Sequence, residues 1–98
     1  MFSQTITYLY IEQLKCARNT TVAGINGDLK STAKVKQAAY KVLGTASFFG
    51  DAQLHRICQE IDKKFLFDPG ANHQDRAFVE RFKSELDRTI AMKKAGQI

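Results

Sequence analysis

Apolar residues recur every three to four positions along most of this chain, and only three strong breaks interrupt the rhythm. They are "INGD" at 25–28, the Gly50-Asp51 step, and "FDPGAN" at 67–72, which holds the single proline. Glycine frees the backbone to leave helical geometry, and proline lacks the N–H that a helix interior needs. A spacing of three to four is that of an amphipathic helix, and no stretch shows the strict alternation of a half-buried strand. The breaks therefore leave four helical segments with short connections. Such helices share one core only by reversing direction at each link, which predicts an all-α, up-and-down antiparallel four-helix bundle. The 98 residues suffice for a single domain over 1–98 and not for two.

Within the segments the spacing assigns faces. Phe2, Ile6, Leu9, Tyr10, Leu14, Ala17 and Thr21 form the expected core stripe of the first helix. Tyr8, Ile11 and Val22 fall outside it, packed by a neighbour or forming a contact surface. Ser31 is the expected N-cap of the second helix, whose stripe is Val35, Ala38, Ala39, Val42, Ala46 and Phe49. Leu54, Ile57, Cys58, Ile61 and Phe65 follow on the third, with His55 and Arg56 off the stripe. Asn72 is the expected cap of the fourth, with Asp75 in its first turn and Phe78, Val79, Phe82, Leu86 and Thr89 or Ile90 inward. Lys93 and Lys94 suit the negative end of that helix.

Composition narrows the function classes. With 44% apolar and 26% charged residues the chain reads as a soluble globular protein. It has no run of about eighteen apolar residues and no basic-then-apolar leader, so neither a membrane span nor a signal peptide is expected and the location is read as cytoplasmic. Cys16 and Cys58 are then reduced thiols with packing as their ordinary role. The net charge of +5 calls for an acidic partner. It is concentrated, because residues 29–50 carry Lys30, Lys34, Lys36 and Lys41 and no acid.

Gly44 poses the sharpest local question. At about 100° per residue, Tyr40, Gly44 and Ser47 point nearly opposite the second helix's core stripe. A glycine inside a helix costs about 1 kcal/mol relative to alanine. Three reasons are open: fraying near the helix end, close packing of another helix of the chain, or clearance for a partner beside an exposed Tyr40.

The stretch "AAYKVLGTASFFGDAQLHRICQEID" resembles the central motif of histidine-containing phosphotransfer (HPt) domains, the four-helix bundles of two-component phosphorelays. That motif sets alanine and histidine before an aliphatic residue, lysine, glycine and two small residues, then a further glycine, a leucine and a glutamate-bearing amphipathic helix. Ala39, Val42, Gly44, Thr45, Ala46, Gly50, Leu54 and Glu60 match it over about 25 residues, and the helical layout extends the likeness loosely to the whole chain. Two departures fall on the chemistry: Tyr40 stands at the histidine position and Leu43 at the lysine position. A phenol with its ordinary pKa of about 10 is a poor phosphoryl acceptor at neutral pH. Without the lysine, one stabiliser of the transferring phosphoryl group is gone.

The resemblance thus implies a pseudo-phosphotransfer module that docks the receiver domain of a response regulator or hybrid kinase, or a kinase domain, without accepting phosphate. Tyr40, Lys36, Lys41, Leu43, Gly44 and Ser47 are the expected partner-binding residues, with Lys34 adding charge and Gly50 shaping the turn into the third helix. The lysines would complement the acidic cluster of a receiver, and an exposed tyrosine is a frequent anchor. No phosphate loop, carboxylate pair or activated nucleophile stands out, so no enzyme activity and no cofactor is expected. His55 and Cys58 are too few to close a metal site. His55 as a displaced phosphoacceptor would sit nearer the level of Gly44 to Ser47 than of Tyr40. The alternative class is a small basic nucleic-acid-binding protein, favoured by the pI of 9.4. Against it, the second helix lacks arginine and base-reading side chains. A monomer or weak dimer is expected.

Overall fold

The computed structural model describes residues 4–25, 29–63 and 73–95. They form α1 (Gln4–Ile25), α2 (Leu29–Phe49), α3 (Ala52–Lys63) and α4 (His73–Ala95), and no strand occurs among the described residues. The expected roles of Phe2, Phe65 and Asn72 lie outside them, as do the turns at 26–28 and 67–72. α2 starts at Leu29, so Ser31 lies within its first turn and does not precede it as an N-cap.

Each helix packs on its two neighbours in sequence, and α4 closes the ring on α1, while the diagonal pairs share no close approach among the described residues. Cross-helix contacts give the directions. Tyr10 near the start of α1 stacks on Phe49 at the end of α2, and three residues on, Gln13 Nε2 donates to the Lys41 carbonyl at 3.4 Å. Arg18 meets Asp87 of α4 at 3.6 Å, and Arg88 reaches back to Gln53 at the start of α3 at 2.9 Å. Neighbouring helices are therefore antiparallel. The bundle measures 42 × 21 × 17 Å, its long axis comparable with the roughly 33 Å of a 22-residue helix.

The core is built from the stripe of each helix. Val35, Ala39, Val42 and Ala46 are fully buried on α2. Leu54, Ile57, Cys58 and Ile61 face them from α3, with Val79, Phe82, Leu86, Thr89 and Ile90 from α4. Ala38 is only partly buried against this core, and Phe78 is half-buried with the Arg81 guanidinium over its ring at 5.9 Å.

The first helix departs from the expected face. Tyr10, Leu14, Ala17 and Thr21 are buried, but so is Ile11, while Ile6 is 45% and Leu9 61% exposed. α1 must satisfy α2 on one flank and α4 on the other, so its buried sector is centred between them. That rotation takes Ile11 inward and leaves Ile6 and Leu9 on the outer rim beside α2. Tyr8 is exposed and Val22 half-buried.

Candidate functional site

Residues four apart on a helix stack one above the other on the same face. On α2 this aligns Lys36, Tyr40, Gly44 and, one turn further, Ser47 along a ridge opposite the buried stripe. Tyr40 is 66% exposed, Gly44 and Ser47 are exposed, and Lys36 is half-buried. Leu43 and Lys41 sit on opposite flanks of the ridge. Leu43 is half-buried and packed against the core, whereas Lys41 is exposed on the flank facing α1.

Gly44 has open space around it: a methyl group built there would meet no heavy atom outside its own helix within 4 Å. Close packing of another helix of this chain is thereby excluded as its reason. α2 also continues for more than a turn beyond it to Phe49, so Gly44 is not at a terminus. Thr45, one residue on, returns its hydroxyl to the Lys41 carbonyl at 3.4 Å.

Gly50 has a different role. With φ of +75° it stops α2 in the left-handed region, donating to the Ser47 carbonyl at 3.2 Å while Asp51 N–H donates to Ala46 O at 2.9 Å. That pair of bonds is the Schellman termination, which satisfies carbonyls the helix end would leave open. Asp51 O then accepts the first backbone bond of α3, from His55 N–H at 2.9 Å, so one two-residue step both ends α2 and caps α3.

The Asp51 carboxylate ties three elements together at this end of the bundle. Tyr10 donates its hydroxyl to Oδ2 at 2.7 Å, and Lys93 Nζ lies 3.4 Å from Oδ1. Lys93 also sits 5.6 Å from the Phe49 ring, which stacks on Tyr10 at 4.2 Å with the planes 9° apart. Burial first, and then the hydrogen bond and charge of Asp51, hold the Tyr10 phenol well above its ordinary pKa. Burial alone pushes the Cys58 thiol up to about 12, as suits a packing residue.

Between α1 and α2, alongside the ridge, runs an open groove that sequence reasoning missed. One half, of about 540 Å³, has Ile6, Leu9 and the 62% exposed Phe48 as its walls and Gly44 and Lys41 on its edge. The other half, of about 420 Å³, passes Cys16, Thr20 and Lys34, and the two meet at Gln13 and Lys41. Period alone gives no clear signal for it, because adjacent helical residues can both be buried, as Ile57 and Cys58 are, so the exposure of Phe48 beside the buried Phe49 depends on the neighbouring helices.

His55 is half-buried and off the ridge. Among the described residues no three His, Cys, Asp or Glu side chains gather as metal ligands would, and no helix is long and apolar enough to cross a membrane. Comparisons with family models, with curated proteins and with solved structures give no match to this chain.

Proposed function

We propose that this chain is an HPt-like pseudo-phosphotransfer module, cytoplasmic, that docks a receiver or kinase domain of a two-component system through the outer ridge of α2 and does not accept phosphate itself. The observation that carries the reading is the exposed Tyr40–Gly44 pair, one turn apart on a ridge whose far side is core. An otherwise costly glycine with nothing above it gives an approaching partner access to helix backbone just beyond the tyrosine. Lys34 and Lys41, neither paired with a carboxylate among the described residues, supply the positive potential that an acidic receiver face complements.

The motif resemblance supplies the partner class, and Tyr40 and Leu43 supply the loss of transfer. Leu43 packs partly against the core and so contributes hydrophobic support at a position where the family places charge. Nucleic-acid binding is the weaker reading, because the basic ridge presents Tyr40 and Gly44 where a groove reader would present arginine or amide side chains.

Titration of the labelled protein with phosphorylated receiver domains, followed by NMR, tests the proposal. A cognate receiver is expected to shift residues 36–47, and Tyr40→Ala is expected to weaken it by at least about tenfold, as for an aromatic anchor. The tyrosine is exposed, so the variant keeps the fold. Equal binding by the variant, or transfer of the receiver's phosphoryl group to the wild-type protein, would overturn the assignment.

A further inference from the structure

We infer that the α1/α2 groove is a second docking site, which takes a short amphipathic helix with an apolar stripe and an acidic edge. Exposed Ile6 and Leu9 of α1 and Phe48 of α2 form an apolar trough at one end, large enough for two or three aliphatic side chains. Lys41 stands at its middle and Lys34 toward its far end, and among the described residues no aspartate or glutamate lines either half. Charge therefore selects the occupant: a basic or neutral helix would leave both lysines uncompensated, whereas acidic side chains along one edge meet both. A hydrophobic stripe with flanking charge is the form in which a helix lies in a groove.

Size sets the same limit. From Ile6 to Thr20 the groove follows α1 for about four turns, roughly 21 Å at 1.5 Å per residue, the length of a helix of about fourteen residues. The trough lies on the α1 side of the Tyr40 ridge and shares Lys34, Lys41 and Gly44 with the surface proposed for a receiver, so a peptide in the groove and a receiver on the ridge compete for those residues.

The probe is a designed fourteen-residue helical peptide with leucines on one stripe and glutamates along one edge, with a second version carrying lysines in place of the glutamates. The full chain, labelled for NMR, is titrated with each, and its mass in solution is measured alone by sedimentation. The acidic peptide is expected to shift Leu9, Gln13, Lys41 and Phe48 and to leave the α3/α4 face still. Leu9→Asp with Phe48→Asp, both at exposed sites, is expected to weaken it at least about tenfold. Lys34→Glu with Lys41→Glu is expected to transfer preference to the lysine peptide. Binding elsewhere, absence of binding, or equal affinity for both peptides would overturn the inference. A stable dimer that the acidic peptide does not dissociate would also overturn it, by assigning the trough to a second copy of the chain.

Discussion

At the residue scale, Tyr10 shows how a single polar atom constrains a helix bundle. Its ring is core, stacked on Phe49, while its hydroxyl ends on the Asp51 carboxylate, which Lys93 approaches from α4. Removing the hydroxyl leaves a largely buried carboxylate one donor short, so Tyr10→Phe is expected to lower stability at neutral pH by about 1–3 kcal/mol. The alkaline limb carries a second signature. Tyr10 and Cys58 both have raised pKa values, so the folded protein keeps two protons that the unfolded chain releases. Stability is then unaffected by these groups below the ordinary thiol value of 9.0, falls as Cys58 titrates in the unfolded chain, and falls faster above the ordinary phenol value of 10.0. Each group contributes a slope of about 1.4 kcal/mol per pH unit in its window. Urea midpoints taken from pH 8 to pH 11 are expected to show Tyr10→Phe losing only the added slope above 10, and Cys58→Ala losing its share from 9 upward, so that it keeps the Tyr10 slope alone above 10. Variants with the slope of the parent chain would refute this account.

At the scale of the element, α2 and the turn that ends it set two glycines in opposition. Gly44 lies in helical backbone with open space around it, so Gly44→Ala is expected to stabilise the protein by about 1 kcal/mol. Gly50 also has open space, but its φ of +75° strains any L side chain, and Gly50→Ala is expected to destabilise by about 1–2 kcal/mol. Chemical denaturation of the two variants checks the pair, and a shared sign would refute the assigned roles. Gly50 was legible in the sequence because a glycine followed by an aspartate at the end of a periodic run carries its own termination chemistry. The stripes of α3 and the later part of α4 were legible for a similar reason, since each helix buries one continuous face. α1 was not, because its N-terminal apolar residues outnumber the buried sector. Period alone does not tell Ile6 and Leu9, which rim a groove, from Ile11, which the packing of α4 draws inward. The Tyr10–Asp51–Lys93 tie was equally hidden, since its members lie on α1, the α2/α3 turn and α4 and carry no local spacing. On the ridge, Tyr40 and Gly44 were legible from the position of the core stripe, whereas the partial burial of Leu43 depends on the neighbouring helices.

At the scale of the whole molecule, the division of labour between scaffold and chemistry leads to the last prediction. Three helices of more than twenty residues and one of twelve enclose a core that draws nothing from Tyr40, so the ridge can change chemistry without changing fold. If the ridge of α2 is a docking surface of the HPt kind, two side chains separate it from one that accepts phosphoryl groups. Tyr40→His places an imidazole on the exposed ridge at no packing cost. Leu43→Lys asks more, since the position is half-buried, but a lysine stem can lie along the same apolar surface and carry its ammonium outward. Phosphoryl transfer rests on positioning and charge stabilisation, and the bundle and Gly44 would supply the first while the new lysine supplies part of the second. Incubated with a panel of phosphorylated receiver domains, the double variant is expected to take up acid-labile label from at least one, Tyr40→His alone to take up less, and the parent chain none. The receivers that label the variant should be those that shift residues 36–47 of the parent. Label appearing on receivers that never dock the parent would detach the chemistry from the ridge, and a folded double variant that stays unlabelled by a receiver it binds would refute the pseudo-transfer assignment.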